Sequence, residues 1–421
     1  MTFGAAEPVS AARKPSLSIA LLRLRDFRCL GAGMLLSSVG MMGEVVVLGW
    51  LALSLTNSPF MVGLAMGARA LPLFFVGVPA GALADRFPRH QLLMAAGAGQ
   101  AAIAAAIGLS TLLGLIGLGG LVLLTLASGA FRGLEHAARQ SYTHDVVGAA
   151  SLLQGLAVLG VLMRAGWLLG SLATGALIAH RGSGVAYLAV AACYLAGAAA
   201  LLPVSAPTRR AAAGVQAGAA PSIWRSVVEF AALVRRDRTL LGLMALTAGA
   251  EVLGFSHQAL LPSLARDVLH TGPEGLGALN AARSVGGILG LAVAMRGVTR
   301  SSGPLFLLVV AAFGAGVAAL GPAPAVVGFA GVLLVLTAAN AMGALADLLA
   351  QSLLQLGVSS DLRGRAGGAW VVAIGLAPLG QLQIGGLASL FGVGAALGAS
   401  GLALGALVGA TALLFPRLRR L

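Results

Sequence analysis

Gly81-Ala82-Leu83-Ala84-Asp85-Arg86-Phe87-Pro88-Arg89-His90 is a short charged connection between two long apolar segments. The first segment runs from about Val62 to Ala84, and the second opens at about Gln91. A helix of roughly 20 apolar residues crosses the hydrocarbon core of a bilayer. The connection therefore reads as a tight turn between two membrane helices. Gly77 and Gly81 lie one turn apart on the first helix and form a small-residue face that lets another helix come close. Asp85 falls at the membrane surface, where a carboxylate is cheaper than at the centre and can accept hydrogen bonds from a helix N-terminus.

Composition sets the class independently of any motif. The chain has 421 residues, of which 58% are hydrophobic and only 10% charged, with a mean hydropathy of +0.96. Soluble domains carry about 25% charged residues, so this chain cannot cover a water-facing surface. Its apolar residues come in long runs rather than in alternating segments of about ten, which excludes a β-barrel. Cys29 and Cys193 make neither a disulfide framework nor a metal-ligand spacing. The formal net charge is +14. Its arginines are spread over short loops, as membrane orientation requires, and not gathered on one face for nucleic acid. Lys14 is the only lysine, and with abundant Ala and Gly that bias suggests a GC-rich bacterial genome.

Apolar periodicity divides the chain into about twelve spans. Residues 1–28 read as a cytoplasmic tail and 29–204 as a first bundle of six helices. Residues 205–238 form the one long polar linker, in which Ile223 to Leu233 has the pattern of a helix lying on the membrane surface. Residues 239–415 form a second six-helix bundle, and 416–421 a second cytoplasmic tail. Arginines concentrate in both tails and in the even-to-odd connections. The positive-inside rule then puts both termini in the cytoplasm.

The halves repeat each other. Adding 214 to Pro59, Gly63 and Arg69 gives Pro273, Gly277 and Arg283, and adding 210 to Gly170 and Gly175 gives Gly380 and Gly385. The acid of the quoted turn is not repeated, because Asp85 falls opposite Thr299. Parallel six-helix repeats about an axis along the membrane normal are a known transporter design.

The quoted turn resembles the loop signature of the major facilitator superfamily between its second and third helices, with matches at Gly81, Leu83, Asp85, Arg86 and Arg89. Pro88 stands where a glycine is usual, and His90 where a basic residue is usual. Asp26-Phe27-Arg28, Thr56-Asn57-Ser58-Pro59, Gln351-Ser352-Leu353-Leu354-Gln355 and Asp361-Leu362-Arg363-Gly364-Arg365 narrow the resemblance to its enterobactin-exporter-like branch, which is similar to drug:proton antiporters. His136-Ala137-Ala138-Arg139-Gln140 keeps the arginine of that branch's span-4 motif and lacks its proline. Gly170 and Gly175 keep the helix-packing glycines of the exporter motif in span 5, with Ser171 in place of its proline. The resemblance implies an all-α membrane fold of two pseudo-symmetric bundles that rock about a central cavity.

Ionisable residues inside spans carry the functional expectation, since a central charge costs about 2.5–3.5 kcal/mol even on insertion scales. Glu44 in span 1 is the leading candidate for a proton or cation site, with Glu251 in span 7 next and Gln258 at the repeat position of Glu44. Arg164 in span 5 is a candidate for an anionic substrate group or for neutralising Glu44, with structural pairing as the plainer reading. Arg69 and Arg283 are candidates for the cavity mouth, or else extend to the outer surface. Asp85, Arg86, Arg89, Arg132 and Arg139, with Glu135 and Asp145, are expected to form a cytoplasmic ion-pair gate. The alternative is solvated surface charge, worth about 0–1 kcal/mol per pair. His257 reads as a hydrogen-bonding residue rather than a proton relay.

No nucleotide loop, H-E-x-x-H or Cys/His metal pattern is present. The expectation is a non-enzymatic secondary transporter of a bacterial inner membrane, without cofactor or metal and monomeric. It would exchange protons for small amphiphilic or siderophore-like molecules and export them, as a multidrug-type antiporter does. The alternatives are an importer or lipid flippase on the same fold, and a sensor or assembly subunit that moves nothing.

Overall fold

The computed structural model describes residues 21, 23–204, 238–295, 302–356, 373 and 375–420. The linker with its expected surface helix lies outside the described residues, as do Asp361 to Arg365 and Arg300.

Helix α1 is Arg25–Thr56, α2 Pro59–Arg86 and α3 Arg89–Leu112. Leu118–Ala199 is helical except at Gly148 and Gly182, whose φ values of 69° and 82° reverse the chain. Only glycine adopts that backbone without strain, so the run is three helices: α4 (118–147), α5 (149–181) and α6 (183–199). After the linker come α7 (238–268), α8 Gly272–Met295, α9 Gly303–Ala319, α10 Ala323–Leu356, which Gly328 interrupts near its start with a φ of 60°, α11 Ala377–Phe391 and α12 Val393–Leu414. A final 3₁₀ turn, Pro416–Arg420, closes the described chain. Among the described residues, eight stretches are long and apolar enough to cross a membrane. There is no strand among the described residues.

Local chemistry explains the turns. Asn57 takes a left-handed φ of 51° and its N–H bonds to the Leu53 carbonyl, ending α1. Pro59 then starts α2, where a missing N–H costs nothing. Helix α7 departs from the regular helix its sequence suggests. It passes through a π turn at Ala250–Gly254, a 3₁₀ stretch at Phe255–Leu260 and a second π turn at Leu264–Val268. Gly254 lets the Phe313 ring press onto the backbone, and Pro262 cannot donate to the helical ladder.

The repeat glycines make the contacts between helices. Gly63 of α2 packs against the Gln381 carbonyl of α11, and a Cβ at Gly385 would lie 2.8 Å from the Pro59 carbonyl. In the same way a Cβ at Gly277 of α8 would lie 2.7 Å from the Ser171 carbonyl of α5, and one at Gly175 would lie 2.8 Å from the Pro273 carbonyl. These two crossings, α2 with α11 and α5 with α8, join the halves. Within the halves, Gly170 of α5 meets Val39 of α1, and Gly380 of α11 meets Val252 of α7.

All of these inter-half crossings lie toward the end of the molecule that holds Asn57. There one apolar core runs through both halves, from Leu48 and Val62 to Leu264, Leu279 and Ile384. At the opposite end, which holds Arg89, the cores are separate: Phe27, Leu30 and Tyr142 in the first half, and Phe306, Phe313 and Leu349 in the second. Among the described residues the halves thus share one core at the Asn57 end and keep separate cores at the other.

Candidate functional site: buried charges of the two bundles

Glu44 lies midway along α1, and 2% of it is exposed. Its Oε1 accepts from the Ser128 hydroxyl at 2.9 Å. Its Oε2 accepts from Arg132 Nη2 at 2.9 Å and from the Tyr194 hydroxyl at 2.6 Å. Arg69 Nε stands 3.9 Å from Oε1, and Arg69 Nη2 donates to the Met41 carbonyl. Four helices, α1, α2, α4 and α6, therefore meet on one carboxylate. Arg132, placed with the gate on sequence grounds, is turned onto Glu44, and Arg69 is held there rather than extended outward.

The second half repeats this arrangement with an amide. Gln258 Oε1 accepts from Arg283 Nη2 at 2.9 Å, and Asn280 Oδ1 accepts from Arg283 Nη1 at 3.0 Å. Glu44 with Arg69 and Gln258 with Arg283 are the same pair of positions 214 residues apart, an ion pair at 3.9 Å in the first half and a hydrogen bond at 2.9 Å in the second. His257 beside them is fully buried. Its Nδ1 is 2.7 Å from the Gly254 carbonyl and its Nε2 is 3.3 Å from Asn340.

Glu251 sits in the first π turn of α7 and is partly buried. It makes no hydrogen bond or ion pair with any described residue; the charge it senses is that of Asp347 on α10. Asp347 in turn interacts with Arg164 of α5. The Arg164 guanidinium lies 5.8 Å from the Trp167 ring centre. Its Nη1 reaches α8, where the missing side chain of Gly287 leaves room for it. Arg164, Glu251 and Asp347 thus influence one another electrostatically across the two halves.

The expected gate residues lie at the end with separate cores. Arg89 Nη1 donates to both Asp145 oxygens at 2.8 Å, linking α3 to α4. Arg139 contacts Glu135 and the Met34 sulfur, and Glu135 accepts from Gln100 at 2.9 Å. A small cavity lined by Met34, Ser37, Glu135 and Arg139 adjoins them. All of these described contacts stay within the first half. Gly77, Gly81, Asp85 and Arg86 belong to the last turns of α2, whose side chains lie outside the described set. No group of three or more metal-ligating side chains occurs among the described residues.

Sequence reasoning missed Ser128, Tyr194 and Asn340. A signal for the tyrosine was available: Tyr187 and Tyr194, two of only three tyrosines in the chain, lie seven residues apart on one helix face.

The chain from residue 16 to 421 matches the family described as transmembrane secretion effector. Solved structures show the same fold. The nucleoside transporter NupG superposes with a TM-score of 0.75 at 13% identity, over 93% of this chain and 100% of its own. A bacterial homologue of the human lysosomal transporter Spinster, inward-facing and occupied, gives 0.69 at 16%, over 97% and 98%. A peptide transporter POT gives 0.73 at 14%, over 94% and 95%. No sequence among the curated proteins matches. Two repeated helical bundles, with twelve helices among the described residues, and a family match over nearly the whole length lead to one conclusion: the chain is a membrane transporter of the major facilitator superfamily and belongs to its transmembrane secretion effector family.

Proposed function

We propose that the protein is a proton-coupled exporter of small amphiphilic molecules from the cytoplasm across a bacterial inner membrane, working by alternating access. The bundles would be 29–204 and 239–415, with 205–238 and both tails cytoplasmic. In that orientation the end with separate cores faces the cytoplasm, and the conformation is one that loads substrate from inside. The secretion-effector description of the family supports export. Asp85, Arg86, Arg89 and Arg139 would meet the second half when the cytoplasmic end closes.

The observation that carries the coupling is the contrast between the buried Glu44 and the partly buried Glu251. Glu44 is saturated by Ser128, Arg132, Tyr194 and Arg69. Glu251 has no donor among the described residues, and the charge that acts on it is that of a second acid, Asp347. A buried carboxyl without donors is the one free to take up and release a proton. In this reading Glu251 carries the proton and Glu44 holds the first bundle together. One charge moved across the membrane supplies about 2.3 kcal/mol per 100 mV.

Inverted membrane vesicles with an imposed pH gradient test this on a panel of amphiphilic dyes. Glu251→Gln is expected to abolish gradient-driven accumulation while preserving gradient-free exchange of the same dye. Accumulation by Glu251→Gln equal to that of the native protein would remove Glu251 from the coupling step. Failure of the native protein to move any dye would favour a narrow-substrate or lipid transporter, or a protein that moves nothing.

A further inference from the structure

We infer that the transported molecule carries an oxyanion, a carboxylate or phosphate group, and that Arg283 is its docking residue. The inference rests on the transporter reading above and adds the chemical class of its substrate. It starts from an imbalance of buried charge. Arg69 and Arg132 share a single acid, Glu44, which leaves that site one positive charge in excess. At the repeat-related site the acid is replaced by Gln258, so Arg283 has only amide partners, Gln258 and Asn280. Among the described residues no carboxylate neutralises it.

The donors left over point the same way. The Nε atoms of Arg69, Arg132 and Arg283 are all buried without an acceptor, and so is the Tyr187 hydroxyl. Neither arginine of the Glu44 site is sealed off: the side chains of Arg69 and Arg132 retain 16% and 14% exposure, and Arg283 is likewise only partly buried. A buried cation is costly unless it is paired and fully hydrogen-bonded. A guanidinium presents a fork that fits a carboxylate or phosphate in two parallel bonds. Gln258 and Asn280 each take one terminal nitrogen of Arg283 as neutral acceptors, and Nε is left without one. An incoming oxyanion would supply the missing counter-charge in the second half, while the excess charge at Arg69 and Arg132 favours anions in the first. A cationic substrate would meet net repulsion from both.

Binding and transport are measured separately. The purified full chain in neutral detergent is titrated with low-millimolar sulfate and inorganic phosphate, with chloride at matched ionic strength as reference, and its thermal midpoint is followed. A saturable rise with sulfate or phosphate is expected. The apparent affinity should fall on the order of 10–100-fold in Arg283→Gln, as loss of a charged hydrogen-bonding partner predicts. Arg283→Lys keeps the charge without the fork and should fall between the two. Without added anion, Arg283→Gln should unfold no earlier than the native protein, because it removes an unneutralised charge. Identical sulfate titrations for native and Arg283→Gln would overturn the inference.

In proteoliposomes, anionic carboxyfluorescein and cationic ethidium are compared with a fluorescent phosphatidylglycerol. Movement of carboxyfluorescein but not ethidium, lost in Arg283→Gln, would support a soluble organic anion. Movement of the phosphatidylglycerol alone would support the oxyanion with a lipid as its source. Ethidium transport indifferent to Arg283→Gln would overturn the inference and leave the transporter reading standing. Saturable sulfate binding that depends on Arg283, with no compound moved, would support the anion site and remove the transport reading.

Discussion

Glu44→Gln is expected to destabilise the first bundle by about 3–5 kcal/mol, the cost of leaving a buried charge without its partner. The variant keeps a group of the same size, but its single carbonyl oxygen can take the place of only one of the two oxygens that accept from Ser128 and Tyr194. It loses the one negative charge that Arg69 and Arg132 share. Two guanidiniums would then face each other inside the bundle without a counter-ion. The effect should appear as a lower thermal midpoint in detergent and a smaller monodisperse fraction after extraction. A double variant, Glu44→Gln with Arg132→Gln, should recover part of the loss, because it removes one of the two stranded cations. An unchanged midpoint in Glu44→Gln, together with loss of gradient-driven accumulation, would return the coupling role to Glu44.

Gly175→Leu should act on the conformational cycle rather than on folding. Even a Cβ at this position would lie 2.8 Å from the Pro273 carbonyl and 2.9 Å from the Gly277 Cα. These are backbone atoms and cannot move aside as a flexible side chain would. Overpacking costs about 1–3 kcal/mol. Here the cost falls only on the state in which α5 and α8 cross closely, so the balance between the two states shifts by about 5–150-fold. Single cysteines placed near Asn57 should become more reactive toward a membrane-impermeant maleimide, and dye flux should fall. Gly385→Leu, at the repeat-related crossing of α11 on α2, should reproduce both effects. Unaltered cysteine labelling in both variants would show that these crossings do not close that end.

Much of the fold was legible because membrane helices declare themselves locally. A bilayer demands long apolar runs, and among the described residues most runs of this chain fall on one helix each, although α4 continues well past its apolar part to residue 147. The internal repeat was legible for a related reason. Close helix crossings tolerate only glycine, so Gly63 and Gly277, and Gly175 and Gly385, persist at matching places in both halves. Helix α7 was less legible. Its apolar run gives no hint of two π turns, which arise where Gly254, Phe313 and Pro262 leave the backbone short of regular partners.

The charged site divides along the same line. Sequence alone determined that Glu44, Glu251, Arg69, Arg164 and Arg283 lie inside spans, because the price of a charge in hydrocarbon is a property of depth along one helix. It also determined that Gln258 and Arg283 occupy the repeat positions of Glu44 and Arg69. Only the tertiary structure decided which charges meet. Arg132 is 88 residues from Glu44 and Tyr194 is 150 residues from it, and helix periodicity says which face a residue is on but not which helix that face meets. The same limit explains why Arg132 read as part of the gate with Arg139, two turns further along α4, although it turns inward to Glu44. Pairing across helices is settled by how the bundles pack, since a buried charge takes whichever partner the packing brings within reach.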